Sequence, residues 1–131
     1  MNESLPKPLA ADFQLVDHFL DAAFADSAFE AVMSETVWEK HHLKIFGKIL
    51  EMPRRIAYAG HQPYSYSGVL HPARPMTGMV KTLCERIIAA TNIPFNVVLI
   101  NLYRHGQDSM GWHADDDYFC GQYPQVASLS L

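Results

Sequence analysis

Asn101-Leu102-Tyr103, a glycine-bearing loop, and then Met110-Gly111-Trp112-His113-Ala114-Asp115-Asp116-Asp117 form the stretch on which the reading of this chain turns. Its flanks look extended, and in extended backbone residues two apart leave the same face, so His113 and Asp115 would project together. A neutral imidazole and a carboxylate, completed by a second histidine from elsewhere, make the facial triad that holds non-haem Fe(II) with positions left open. H-x-D alone is a weak signal, because Asp115 to Asp117 would equally serve to cap backbone amides in a solvated loop. The surrounding sequence has to decide.

Working back from this stretch, Phe95 to Arg104 reads as a strand. With a period of two, Phe95, Val97, Leu99, Asn101 and Tyr103 share one face and Asn96, Val98, Ile100 and Leu102 the other; both faces are largely apolar, which predicts a central strand. A core-facing row ending in an amide and a phenol looks like the polar end of a pocket, two neutral donors suited to a carboxylate. The plainer alternative is that Asn101 caps the loop and Tyr103 packs with its hydroxyl at the surface. Met76, Val80, Leu83, Cys84, Ile87 and Ile88 recur at helical spacing and predict an amphipathic helix from near Pro75 to near Asn92. Tyr64 to Gly68 alternates as a strand with Tyr64 and Tyr66 on one side. Val37 to Leu50 reads as a hairpin turning near Gly47, the residue that tolerates positive φ. Ser27-x-x-Glu30 has capping-box spacing, so a short helix is expected to follow Ser27, with Phe29, Val32 and Met33 on one face. Residues 1 to 11 look like a flexible lead-in.

The chain of 131 residues is nearly half apolar, enough for one domain with a core. No apolar run approaches the ~18 to 20 residues of a membrane span, and there is no basic-then-apolar leader, so an intracellular protein is expected. Cys84 and Cys120 form no CxxC pair, which fits a reducing compartment. The net charge of −4 disguises a local pattern. Residues 1 to 36 hold seven acidic side chains against Lys7, whereas 37 to 55 carry Lys40, Lys44, Lys48, Arg54 and Arg55 against Glu39 and Glu51. A phosphate backbone could be met there, or the face could simply be solvated.

Taken together, Asn101-x-Tyr103, the loop with Gly106 and Asp108, and Gly111-Trp112-His113-Ala114-Asp115-Asp116-Asp117 resemble the core of the AlkB-like Fe(II)/2-oxoglutarate-dependent dioxygenases, which remove alkyl groups from nucleobases. Met52-Pro53-Arg54-Arg55, Tyr58-Ala59-Gly60, Tyr64 to Gly68, the helix and Val126 to Leu131 follow in that family's order, so the resemblance covers roughly residues 37 to 131. Ile45-Phe46-Gly47-Lys48 resembles the apolar finger of the branch that acts on double-stranded DNA.

The resemblance implies an α+β fold: a double-stranded β-helix of jelly-roll type with outer helices and an N-terminal nucleotide-recognition hairpin. Residues 1 to 36 would be a lead-in with a short helix, and 37 to 131 the dioxygenase domain, truncated before the distal histidine and arginine motif. It implies that His113 and Asp115 bind Fe(II) and that Asn101 and Tyr103 contact 2-oxoglutarate. Asp117, in a catalytic and substrate-contacting role, would touch the exocyclic nitrogen of the target base. Arg54, Tyr64 and Tyr66 would line the nucleotide site, although two tyrosines on a half-buried strand also fit a core pair. Ile45 and Phe46 would fill the gap left by a flipped base, although Phe46 also fits a core position.

The implied reaction decarboxylates 2-oxoglutarate to succinate and hydroxylates an N-linked methyl carbon; the hemiaminal then releases formaldehyde. The partner would be nucleic acid, alkylated DNA or else RNA, with no membrane, and the protein a monomer, cytoplasmic in a bacterium or nuclear in a eukaryote. One departure matters: the family's third iron ligand is a later histidine and its keto-acid clamp a later arginine, yet no histidine follows His113. A chain lacking its last barrel strands, and inactive as it stands, is the expectation. Rival readings are a 2-oxoglutarate hydroxylase of a protein or small molecule, and a non-catalytic nucleic-acid-binding fragment.

Overall fold

Two apolar patterns of different period, one helical and one extended, sort this chain into two compact units. The computed structural model describes residues 13–66, 69–112 and 125–131, the side chains of Leu43, Tyr66 and Val69 excepted. The first unit gathers Met1–Glu35, Thr77–Phe95 and Ala127–Leu131; the second gathers Thr36–Met76 and Asn96–Val126. Helix and antiparallel sheet together match the expected α+β class.

In the first unit, α1 (Ala22–Glu35) packs against α2 (Gly78–Thr91). Helix α1 begins six residues earlier than the Ser27 capping box predicts. Asp21 is the cap: its Oδ1 accepts from Phe24 N–H at 2.8 Å, satisfying one of the donors a helix start leaves free. Ala22, Ala23 and Ala25 then carry the helix past Ser27, whose hydroxyl donates to the Ala23 carbonyl at 3.1 Å instead. The buried stripe is Ala28 and Val32, while Phe29 is exposed, so the face is rotated from the one expected. Helix α2 is as the spacing predicts, burying Leu83 and Cys84 and ending at Asn92, which takes the left-handed conformation (φ 57°). Its start is capped from α1, the Glu35 carboxylate accepting from Met79 N–H at 2.9 Å. Arg86 lies 3.8 Å over the Phe24 ring.

In the second unit, β1 (Glu39–Ile45), β2 (Lys48–Gly60) and β5 (Val97–Leu102) form a three-stranded antiparallel sheet in the order β1-β2-β5. A second antiparallel pair, β3 (Tyr64–Tyr66) with β4 (Val69–His71), sets Tyr64 opposite His71. The β1–β2 turn is the expected hairpin. Ile45 pairs with Lys48, and the two residues between, Phe46 (φ 47°) and Gly47 (φ 76°), both take the positive φ that such tight turns demand.

Pairing slips between Lys40, opposite Arg55, and His42, opposite Glu51, so Met52-Pro53-Arg54 fall outside the ladder. Pro53 has no N–H to give a ladder, and in a central strand it is confined to such irregularities. Beyond it β2 runs from Arg55 to Gly60 beside Leu102 to Val97. Strand β5 is a correction. Its pattern predicts a central strand, but among the described residues it pairs on one side only, with Val97 and Asn101 exposed. The unbroken burial belongs to β2, where Ile56 to Gly60 are covered and paired with β5, Ile56 also standing opposite Glu39 of β1.

Gly60 closes the sheet end. A Cβ there would stand 2.6 Å from the Tyr58 hydroxyl and 3.1 Å from the Asn96 carbonyl oxygen, leaving no room for any other residue. Gly60 exchanges two backbone hydrogen bonds with Arg74, of 2.7 and 3.0 Å.

Candidate functional site

Strand β5 and the loop after it carry the first expected pair. Asn101 stands opposite Ile56 of β2, and Tyr103 follows one residue past the strand end; both side chains are exposed, Tyr103 by 46%. They are open to a ligand and not core-facing, which corrects the buried pocket row. His113, Asp115 and Asp117 lie outside the described residues, and among the described residues no group of three or more His, Cys, Asp and Glu side chains could hold a metal ion. The donor chemistry still suits Fe(II): one imidazole nitrogen and one carboxylate, preceded by a neutral amide and phenol able to receive a keto-acid.

The segment that joins them is tightly built. Asp108, its side chain 3% exposed, accepts from the Arg104 backbone N–H at 2.9 Å and from the guanidinium at 2.8 Å (Nε) and 3.1 Å (Nη2). Those hydrogen bonds from Arg104 hold the Asp108 carboxyl at about 2, below its ordinary value of 3.8, and raise the pKa of Arg104 in turn. Sequence reading marks Asp108 only as part of a motif. An R-x-x-x-D spacing in a glycine-bearing loop was the available signal.

The residues expected to face a nucleotide are distributed along the hairpins. Ile45 and Phe46 sit at the β1–β2 tip, both exposed, Phe46 completely; Ile49 and Leu50 beside them are exposed too. Phe46 therefore is not a core residue. Behind the tip the exposed Lys40, His42 and Lys44 alternate along β1 with His41, and Lys48 opens β2. Tyr64 is half-buried and stacks on Tyr58 with ring centroids 5.4 Å apart and planes 11° apart, so one of its faces is taken. The Tyr58 hydroxyl donates to the Gln62 carbonyl, and burial raises its pKa. Tyr66 pairs through its backbone with Val69. Arg54 is only 3% exposed and lies below the surface, in the interrupted part of β2.

A cluster that sequence reading misses lies beside it. Glu39, Lys40, His41, His42, Ile56 and His71 line a cleft of about 250 Å3. The rings of His41 and His71, both buried, meet edge-on at 5.9 Å, and Glu39 Oε2 is 3.4 Å from His71 Nδ1. Burial, then the neighbouring His71 and Arg54, lower the pKa of His41, so it is neutral at neutral pH. Nothing local in the sequence ties His71 to Glu39; the packing of β4 beside β1 does.

Comparison with known proteins completes the description. The model of the 2OG-Fe(II) oxygenase superfamily matches residues 12–131. Alpha-ketoglutarate-dependent dioxygenase alkB homolog 3 of Homo sapiens is 34% identical over 114 residues, 86% of this chain and 40% of that protein. Its Rattus norvegicus counterpart is 37% identical over 115 residues, covering 86% and 39%. DNA oxidative demethylase ALKBH2 of Bos taurus is 32% identical over 114 residues, covering 83% and 41%. The chain thus spans about 40% of the length of these relatives. Among the described residues no helix is long and apolar enough to cross a membrane.

Proposed function

Because the chain belongs to the 2OG-Fe(II) oxygenase superfamily, we propose that it serves oxidative demethylation of alkylated bases in DNA, of the 1-methyladenine and 3-methylcytosine type, with Fe(II), 2-oxoglutarate and O2. The observation that carries the nucleic-acid reading is the hairpin tip. A wholly exposed Phe46 held at positive φ, with Ile45 and Ile49 beside it and Lys40, Lys44 and Lys48 behind, buries nothing among the described residues. An apolar wedge on a cationic stem is what inserting into a base stack requires. The name DNA oxidative demethylase, which the similar ALKBH2 of Bos taurus carries, points the same way.

In this reading His113 and Asp115 hold Fe(II), while the Asn101 amide and Tyr103 hydroxyl orient the 2-oxoglutarate carboxylate. When bound, these groups would supply the oxidation that hydroxylates an N-methyl carbon, which then leaves as formaldehyde and restores the unmethylated base within the strand. The protein supplies the rest. Phe46 and Ile45 fill the gap left by the extruded base, Lys40, Lys44 and Lys48 hold backbone phosphates, and Tyr64 and Tyr66 offer aromatic surface to the base. Arg54 adds positive charge beneath that surface, and Asp117 accepts from the exocyclic amino group. We place these residues in a jelly-roll domain from residue 37 onward, with 1 to 36 as its lead-in, in a monomeric protein inside the cell.

The test is stoichiometric. The protein should convert 2-oxoglutarate to succinate in step with restoration of 1-methyladenine or 3-methylcytosine in an oligonucleotide, and His113→Ala should abolish both. Hydroxylation of a peptide while methylated oligonucleotides stay unchanged would remove DNA as the substrate. Undiminished DNA binding with no succinate from the parent protein would make it a binding module.

A further inference from the structure

The charged groups around Glu51 meet where β2 is interrupted. Glu51 is the first residue on the tip side of the break to pair with β1, standing opposite His42, and Arg55 takes up the pairing on the root side, opposite Lys40. Their side chains close to 3.6 Å across Met52-Pro53-Arg54, although four residues of straight strand would hold the two backbones about 13 Å apart. Arg104 comes from the other side. The β2–β5 ladder stops at Arg55 opposite Leu102, and two residues past Leu102 the Arg104 guanidinium reaches Glu51, Nη1 to Oε1 at 3.7 Å. Arg104 is itself held in a side-on fork by Asp108, at 2.8 Å (Nε) and 3.1 Å (Nη2), so it loses little further freedom in meeting Glu51.

One carboxylate thus ties the tip-side arm of the hairpin to the root of β2 and to the end of β5, past the point where backbone pairing with β5 stops. Both ion pairs are partly exposed, the Glu51 side chain by 37%, and pairs of that kind add little to stability. What they add here is direction: a strand whose ladder breaks at a proline can bend there, and two struts on one carboxylate restrict the bend. Ile45 and Phe46 lie at the far end of that arm, while Asn101 and Tyr103 lie on the β5 side of the struts. Resting on the function proposed above, we infer that Glu51 is a positioning residue that sets the angle of the hairpin tip against the Asn101/Tyr103 end of β5, and thereby the preference for duplex over single-stranded substrate. It touches neither substrate nor cofactor. Only a duplex leaves a gap for the tip to fill, so only duplex repair depends on where the tip points.

The experiment compares the parent protein with Glu51→Gln, Arg104→Gln and the double variant. Nitroxides carried by p-acetylphenylalanine at positions 49 and 97, where Ile49 and Val97 are exposed, report the distance from the tip-side arm to β5 by double electron–electron resonance. Initial-rate formaldehyde release by the unlabelled proteins is read on one methylated strand, alone and in a duplex. The parent should give one narrow distance distribution, and each single variant a broadened one. With it, kcat/KM on the duplex should fall about tenfold, since a misplaced wedge can lose no more than the stacking it would have made. The single-stranded rate, the KM for 2-oxoglutarate and the melting temperature should stay parental. The double variant should be no worse than either single one, because the two groups act through one contact. Should Arg104→Gln fail to fold for want of a partner to Asp108, Arg104→Lys, which keeps the charge without the fork, reads the same quantities beside Glu51→Gln. Parental distances, an undiminished duplex rate, or equal losses on both substrates in a folded Glu51→Gln protein would overturn the positioning role. A parent inactive on both oligonucleotides would instead overturn the demethylase reading, and the specificity role with it.

Discussion

Replacing Phe46 by alanine should separate duplex from single-stranded substrates. Phe46 is fully exposed at the turn, so truncation removes no buried surface, and alanine inherits the same positive φ; stability should stay within about 0.5 kcal/mol. A ring stacked on a base contributes about 1 to 3 kcal/mol, and this stacking exists only when a gap in the duplex has to be filled. Converted at 1.36 kcal/mol per decade, kcat/KM on a methylated duplex should fall roughly five- to 150-fold. The same strand presented alone has no gap to fill and should be repaired at the parental rate. The assay is initial-rate formaldehyde release on both forms, with thermal denaturation alongside. Equal losses on both substrates, or a melting point lowered by several degrees, would show that the tip does not act as a wedge.

Three further outcomes follow from the geometry. Changing Lys40, Lys44 and Lys48 to alanine should weaken DNA binding irrespective of sequence and reduce the slope of log affinity against log salt by about one for each phosphate no longer neutralised, as measured by fluorescence titration across salt. Gly60→Ala should destabilise by about 1 to 3 kcal/mol in thermal unfolding, since the Asn96 carbonyl 3.1 Å from the new Cβ is backbone and cannot swing away. His41, whose pKa burial lowers from 6.5, takes up a proton more readily unfolded than folded, so its contribution is intact above pH 6.5 and is lost as pH falls below that toward the folded value. His41→Leu should therefore flatten the fall in melting temperature between neutral and mildly acidic pH, and an unchanged slope would contradict the burial argument.

The elements legible in the sequence are those whose signals are local and uncontested. Helix α2 carries one apolar stripe and an asparagine able to take the left-handed end, and both ends fall close to where the pattern puts them. The hairpin is announced by Gly47 and by two extended arms, although Phe46 at positive φ is not what the composition of a tight turn suggests. Helix α1 had two competing starts. Ser27-x-x-Glu30 matches a capping box, but Asp21 caps first and three alanines follow it; spacing alone cannot weigh a cap against helix-forming residues upstream. Strand β5 misled because valine, leucine and isoleucine on both faces describe a strand's chemistry and not the number of its neighbours.

The site divides along the same line. Asn101 and Tyr103 could be paired from a period of two, and the cationic stretch from simple charge mapping. The Glu39, His41 and His71 cleft could not, since β1 and β4 meet only through long-range packing. Arg104 and Asp108 stand four apart, which on a helix would bring them together, yet here it is a loop conformation that closes the fork.

The interruption at Pro53 bears on how the two ends of β2 can serve one substrate. Asn101 lies level with Ile56, and eight residues separate Ile56 from Lys48 at the turn, roughly 26 Å if the arm ran straight at strand rise. Under the proposed function, a wedge that far from Asn101 and Tyr103 could not fill the gap left by a base entering beside them. The ladder is instead split into a pairing near the root, Glu39 and Lys40 with Ile56 and Arg55, and one near the tip, His42 to Ile45 with Glu51 to Lys48. Such irregularities bend a strand and re-aim what lies beyond them. Pro53, by denying the ladder a donor between those two pairings, gives the arm a joint at the point where a straight strand would carry Phe46 away from the chemistry.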